Sequence, residues 1–319
     1  MNKKIDISYV IPCYRSQNTI LKVVDEIETT MLEKPDLFYE IILVNDCSPD
    51  DVWSVIKKRS NEDSHIVGIN LAKNFGQHSA LMAGYKQSVG NYVVSLDDDG
   101  QTPACEVFSL IKKLEEGFDV VYATYPETHQ SLFRRLGSSF ANKMNDYMFD
   151  IKERLPKGSS YFVMKRFIVD EIIKYNHAYT YIAGLILRST RNIAMVPVIH
   201  LDRYEGRSGY SLKSLFSLWL NGFTAFSVKP LEIGAYMGFL MAIIGFIVVI
   251  VTVIRKIITP DIQAGWSSTI SVILIIGGII MLMLGLIGEY IGRIYICLNN
   301  APQFVIKEIC RSGETDEGC

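Results

Sequence analysis

The chain predicts an α/β domain built on a mostly parallel sheet, followed by an interfacial helix and two transmembrane helices. Three observations carry this reading. Short runs rich in Val, Ile and Tyr alternate with helically spaced stretches through the amino-terminal part of the chain. One of those runs, Tyr92 to Gly100 (YVVSLDDDG), ends abruptly in Asp97, Asp98 and Asp99. Two stretches near the other end, Ile233 to Ile254 and Ser267 to Gly288, each run for 22 residues without a charge.

In chain order, strands are expected at Ile5 to Ile11, Tyr39 to Val44, Ile66 to Leu71, Tyr92 to Leu96 and Phe118 to Ala123. Amphipathic spacing places helices between them at Thr19 to Met31, Val52 to Arg59, His78 to Ser88 and Val107 to Glu116. Gln130 to Asp150 reads as a helix bearing Arg134 and Arg135, and Tyr161 to Tyr175 as a strand running into a helix. In Ser211 to Ser227, Leu212, Leu215, Phe216, Trp219, Phe223 and Phe226 recur at three- and four-residue intervals. That pattern suits a helix lying at a membrane surface, and equally one packed on the soluble domain.

At about 1.5 Å of rise per residue, each charge-free stretch is long enough to cross a hydrocarbon core of about 30 Å. Joined by the short loop Arg255 to Trp266, they form a hairpin whose two ends lie on one side. Lys213, Lys229, Arg293, Lys307 and Arg311 favour the cytosol for that side, against Arg255 and Lys256 in the opposite loop. The start, MNKKIDISYV, has no hydrophobic stretch long enough for a secretory signal. The expected division is a cytosolic catalytic domain over 1–210, an interfacial helix and linker over 211–231, a transmembrane hairpin over 232–289 and a cytosolic tail over 290–319.

Composition excludes other classes. Of the 319 residues, 49% are hydrophobic, and the excess sits in the two spans. A net charge of −2 is wrong for a general nucleic-acid binder. The six cysteines lack CxxC spacing or a companion histidine cluster, so reduced structural thiols are expected rather than a zinc or disulfide framework. No GxGxxG follows the first strand and no GxxxxGK[ST] occurs, so any nucleotide phosphate needs another partner. Three adjacent carboxylates at a strand end repel one another and call for a compensating cation. A divalent metal with oxygen ligands is the simplest, and the carboxyl ends of parallel strands are where ligands bind.

At this point the chain resembles family 2 glycosyltransferases, in the membrane-anchored branch of polyprenyl-phosphate glycosyltransferases and dolichol-phosphate mannose synthases. The segments that carry the resemblance are YVIPCY (Tyr9 to Tyr14), EIILVNDCSPDD (Glu40 to Asp51), LAKNFGQHSALMAGY (Leu71 to Tyr85) and SLDDDGQTP (Ser95 to Pro103). GSSYFVMKR (Gly158 to Arg166), RYEGRSGYSLKSL (Arg203 to Leu215) and the stretch Phe226 to Leu231 follow in family order. The resemblance implies a GT-A nucleotide-diphospho-sugar transferase fold. It implies that Pro12, Tyr14 and Asp46 cradle the nucleotide base and ribose, with Asn45 where a second Asp is frequent. Asp97 and Asp99 match the DxD motif, which holds Mg²⁺ or Mn²⁺ against the departing diphosphate, and Gln101 lies in the acceptor-side loop. Arg203 and Arg207 supply positive charge to a pyrophosphate or lipid phosphate.

The implied reaction is an inverting, metal-dependent transfer from a nucleotide-sugar, a UDP-sugar by preference, to undecaprenyl (polyprenyl) phosphate. It would take place on the cytosolic face of the bacterial inner membrane and serve cell-surface glycans. Two departures bear on the acceptor. Gly209 follows Ser208 where many relatives have lysine, and Ser159 and Ser160 stand where relatives often carry an Asp base. An ionised lipid phosphate needs no base, whereas a sugar hydroxyl does. His78, His177 and His200 are the alternative bases for a hydroxyl of a lipid-linked saccharide. A catalytically inactive membrane-anchored binding protein is the rival from another class. Gly277, Gly278, Gly285 and Gly288 offer small-residue faces on which a homo-oligomer could pack, as could the first span.

Overall fold

A computed structural model describes residues 4–125, 159–199, 201, 229–258 and 265–313. Arg203, Arg207, His200 and the helices expected at 130–150 and 211–227 lie outside the described residues.

Eight strands form one sheet in the order β7-β5-β6-β4-β1-β2-β3-β8. The first four are β1 (Ile7–Cys13), β2 (Tyr39–Asn45), β3 (Ile66–Leu71) and β4 (Tyr92–Ser95), mutually parallel. β5 (Val120–Thr124) and β7 (Ile193–Pro197) run with them. β6 (Phe162–Lys165) runs against β4 and β5, and β8 (Ile306–Arg311) against β3. The connecting helices are α1 (Ile20–Leu32), α2 (Val52–Glu62), α3 (Gln77–Gln87), α4 (Val107–Glu115), α5 (Arg166–Ile172) and α6 (Ile182–Ser189). The strands and helices expected within the described residues are all present, with ends displaced by a few residues. α6, β7 and β8 are additional.

β1 is buried along its whole length, as a central strand covered on both faces must be. Ile7, Tyr9 and Ile11 face the layer made by α1, α2 and α4, where Ile20, Val24, Ile27, Ile56, Val107, Leu110 and Leu114 complete the main core. Val10 points the other way, against α3. A Cβ on Gly84 of α3 would lie 2.3 Å from Val10 Cγ1, so the helix approaches the sheet as closely as glycine permits. Pro12, which has no N–H to donate, lies beyond the β1–β4 register that ends at Val10.

The chain separates into two compact units, and residues 300–319 belong with the first, the sheet domain. β8 pairs with β3 from Val67↔Arg311 to Leu71↔Ile306, and Glu308 accepts hydrogen bonds from Trp53 Nε1 at 3.2 Å and from Lys57 Nζ. β8 covers what would otherwise be an open sheet edge.

The second unit contains two long helices, α7 (Lys229–Ile258) and α8 (Trp266–Leu298), both running past the expected span ends. Within α8, Ile275–Leu298 includes an 18-residue stretch with a mean hydropathy of 2.0 and none of that stretch buried; it is the one segment among the described residues long and apolar enough to cross a membrane. Gly234–Val248 of α7 is a shorter apolar stretch. The helices meet where a Cβ on Gly234 would lie 2.2 Å from Met283 Sδ.

Candidate active site

The carboxyl ends of β1, β2, β3, β4 and β5 share one edge of the sheet, and the chemistry-bearing residues collect there. Pro12 is the penultimate residue of β1, and Tyr14, 44% exposed, follows that strand. The guanidinium of Arg15 lies 5.6 Å from the ring centroid. Arg15 and Cys47 take positive φ, 60° and 49°, where the chain turns off β1 and β2. The two loops are tied together by Arg15 N–H donating to Ser48 Oγ at 2.7 Å.

Asp46, immediately after β2, is only 4% exposed. Its two oxygens accept backbone N–H groups from the β3–α3 loop, Phe75 at 2.7 Å and Gly76 at 2.8 Å. Burial raises its pKa, and these two bonds oppose the rise by favouring the carboxylate. Gly76 has φ 87°, a conformation glycine reaches without strain. Asp46 therefore fixes the start of α3 and with it Gln77. Each oxygen keeps a lone pair, so the carboxylate can still accept a further donor. Asn45, beside it, donates to Asn70 Oδ1 at 2.9 Å and accepts Ser48 N–H at 3.0 Å; its role is to hold β2, β3 and the loop in place.

The three aspartates after β4 have three different environments. Asp97 Oδ1 accepts from Gln77 Nε2 at 2.9 Å, and Oδ2 accepts from Ser160 Oγ. Asp98 turns back toward β1, its Oδ2 accepting Tyr14 N–H at 3.0 Å. Burial pushes the Asp98 pKa up to about 6; the Tyr14 bond lowers it, and the neighbouring charges of Asp97 and Asp99 raise it further. Asp99 Oδ1 accepts Gln101 N–H at 3.1 Å. Gln101 in turn accepts Leu201 N–H at 2.9 Å through its carbonyl, which joins the aspartate loop to the segment after β7.

Tyr125, at the end of β5, stands near the same charges. Burial first, then Asp97 and Asp99, push its pKa up to about 12, opposed by a bond with Ser159, so the hydroxyl stays protonated at neutral pH. His78 sits one residue beyond Gln77, edge-on to Tyr181 at 5.4 Å, with its Nδ1 buried. Desolvation lowers its pKa to about 4, so it is neutral at physiological pH. His177 lies in the loop before α6, where its carbonyl accepts from Gln303 Nε2 at 3.3 Å.

The sheet edge thus gathers Pro12, Tyr14, Asp46, Asp97, Asp99 and Gln101 from the predicted set. It also brings in Gln77, Tyr125, Ser159 and Ser160, whose roles the sequence reading missed. Gln77 and both serines lie inside the recognised segments, but no spacing rule links them to Asp97.

No group of three or more His, Cys, Asp or Glu side chains arranged for a metal ion occurs among the described residues. That donor set suits one kind of ion. Mg²⁺ and Mn²⁺ accept hard oxygen ligands, and Mg²⁺ commonly takes one or two carboxylates and completes its shell with water and substrate phosphate. Asp97 and Asp99 could supply such a pair, whereas a closed all-protein site would need more ligands.

Comparison with known proteins identifies the family and the fold. Residues 8–173 match the family described as Glycosyl transferase family 2, and residues 229–294 match the GtrB C-terminal hairpin. A Bacillus subtilis (strain 168) protein named uncharacterized glycosyltransferase YkcC is 30% identical over 309 residues, covering 97% of this chain and 95% of that one. The undecaprenyl-phosphate 4-deoxy-4-formamido-L-arabinose transferase of Yersinia enterocolitica is 32% identical over 315 residues, covering 97% of this chain and 95% of the relative. Among solved structures, glucosyl-3-phosphoglycerate synthase from Mycobacterium tuberculosis, in complex with Mn²⁺ and UDP-glucose, superposes with a TM-score of 0.52 at 19% identity. It covers 69% of this chain and 77% of that one, and at that identity the likeness establishes the GT-A-like α/β fold alone.

Proposed function

The chain belongs to glycosyl transferase family 2 and is a glycosyltransferase; from that premise we propose that it moves a sugar from a nucleotide-sugar, a UDP-sugar by preference, onto undecaprenyl (polyprenyl) phosphate. The observation that carries this reading is the occupant of the acceptor side. Where relatives often place a carboxylate base, Ser159 and Ser160 stand, and Ser160 donates to Asp97 rather than awaiting a substrate proton. An acceptor phosphate, with a second pKa of about 6, is already ionised at neutral pH and needs no base. Its oxygen attacks the anomeric carbon as the bond from that carbon to the nucleoside diphosphate breaks, inverting the centre. The name of the Yersinia relative, an undecaprenyl-phosphate transferase, supports the same acceptor.

Tyr14, Pro12 and Asp46 would receive the base and ribose at the ends of β1 and β2. Asp97 and Asp99 would hold Mg²⁺ or Mn²⁺, which when bound offsets the charge of the departing diphosphate. Gln101 sits beside them in the loop bonded to Leu201. Arg203 and Arg207 would contribute phosphate-binding charge.

α7 and α8 are read as a pair of membrane spans. The hairpin family match supports this, and β8 is compatible with it, because the chain leaves the sheet domain before α7 and rejoins it after α8, which admits two crossings and not one. An even number of crossings keeps catalytic residues and acceptor phosphate on one side, the cytosolic face of the bacterial inner membrane. The domain division proposed is 1–210, 211–231, 232–289 and 290–319, with the last segment returning to the catalytic sheet.

Membranes containing the protein, incubated with a panel of radiolabelled UDP-sugars and undecaprenyl phosphate, should yield a mild-acid-labile monoglycosyl lipid. Label appearing only in a lipid-linked saccharide would overturn the phosphate acceptor, and label with no donor in the panel would overturn the UDP-sugar assignment.

A further inference from the structure

We propose that Gln77 and Ser160 are positioning residues that hold the Asp97 carboxylate in its cation-binding orientation, an inference that rests on reading Asp97 and Asp99 as holders of a divalent metal. The two donors come from different elements and take different oxygens. Gln77, the first residue of α3, gives Nε2 to Oδ1 at 2.9 Å, and Ser160 gives Oγ to Oδ2. Rotating the carboxylate breaks one bond or the other. Both donors are neutral, so these two bonds orient the carboxylate without themselves cancelling its charge.

Each donor is itself fixed. Gln77 follows Gly76, whose N–H is bound to Asp46, so the buried aspartate after β2 sets the position of the amide that reaches Asp97. Ser160 is placed by strand register. β4 and β6 pair antiparallel with Ser95 opposite Phe162, and continuing that register two residues sets Asp97 opposite Ser160. A carboxylate at 160 would face Asp97 as a like charge, which is destabilising directly across a strand pair. A hydroxyl there becomes a donor instead. The serine is thus part of the metal half of the site, in a segment where the family pattern suggests a base.

The test is Mn²⁺ binding, read as free Mn²⁺ by electron paramagnetic resonance, to the full chain in detergent with saturating UDP. Gln77→Ala and Ser160→Ala should each weaken Mn²⁺ binding by about 10–100-fold, the usual effect of removing a hydrogen-bond partner of a metal ligand. Ser160→Thr and Ser160→Val share a shape and differ in the hydroxyl, so Thr should bind tightly and Val weakly even if both pack less well than serine. Equal affinity for Thr and Val, or alanine variants as tight as the parent while Asp99→Asn is weakened, would overturn the positioning role and leave the metal reading standing. A parent protein that takes up no Mn²⁺ with UDP would overturn both.

Discussion

Asp46 reaches across the end of the sheet to Gly76, accepting its backbone N–H on Oδ2 at 2.8 Å while Oδ1 holds Phe75 N–H. One buried carboxylate thereby satisfies two amides of a loop that has φ 87° at its glycine. Asp46→Ala leaves both amides without that acceptor and should destabilise the sheet domain by about 2–4 kcal/mol, the desolvation cost of two such groups. Asp46→Asn keeps one acceptor oxygen and should cost less. Urea unfolding followed by the fluorescence of Trp53, on α2, measures the difference.

Asp99, proposed above as a metal ligand, should behave differently. Asp99→Asn keeps an oxygen for Gln101 N–H and removes the charge, so the fold should be retained while turnover drops on the order of 10²–10³-fold. Raising Mn²⁺ should not restore it. Circular dichroism together with initial rates over a metal series checks both halves, and unchanged turnover would sink the metal assignment.

His78 should make stability depend on acidity. Its folded pKa, about 4, lies below its ordinary value of 6.5, because burial opposes the charged ring. A base depressed in this way contributes stability above the unfolded pKa that is lost as pH falls from about 6.5 to about 4, with a total of about 3 kcal/mol. Melting temperatures of the parent and of His78→Gln between pH 8 and pH 4 should diverge, the parent losing more. Parallel curves would show that the ring is solvated or paired when folded.

α3 carries Gln77 to Asp97 only because Gly84 lets it lie against Val10. Gly84→Ala puts a Cβ 2.3 Å from Val10 Cγ1 and 3.3 Å from Val44 Cγ2. Overpacking of this kind costs about 1–3 kcal/mol. The same displacement should weaken Mn²⁺ uptake with UDP, although the substitution is remote from the metal ligands. A combined Gly84→Ala and Val10→Ala variant should recover part of both losses.

These arguments depend on features of unequal visibility in the sequence. β1 to β5 were legible because they are short Val, Ile and Tyr runs buried in the sheet, and the three aspartates stood out as charge where burial was expected. β8 was not, because Lys307 and Glu308 interrupt it; β7 went unread although Ile193–Pro197 (IAMVP) is an apolar run, with Met195 and Pro197 exposed in the fold. β8 also finds β3 across the whole hairpin. Asp97 was found as a motif, but its donors lie 20 and 63 positions away, and side-chain bonds of that kind leave no period to read. The Gly158 to Arg166 segment looked deficient beside the family pattern; strand register sets its Ser160 opposite Asp97, to which the hydroxyl donates.

The pairing of β8 with β3 also imposes an order of manufacture. β3 emerges from the ribosome early, and the strand that covers its outer edge is made only after α7 and α8. Until then the nascent chain carries an unpaired β edge, the kind of surface on which chains associate with one another. Completion of the sheet is therefore a late event that follows synthesis of both apolar helices, and a chain stopped between residues 299 and 306 would keep that edge open.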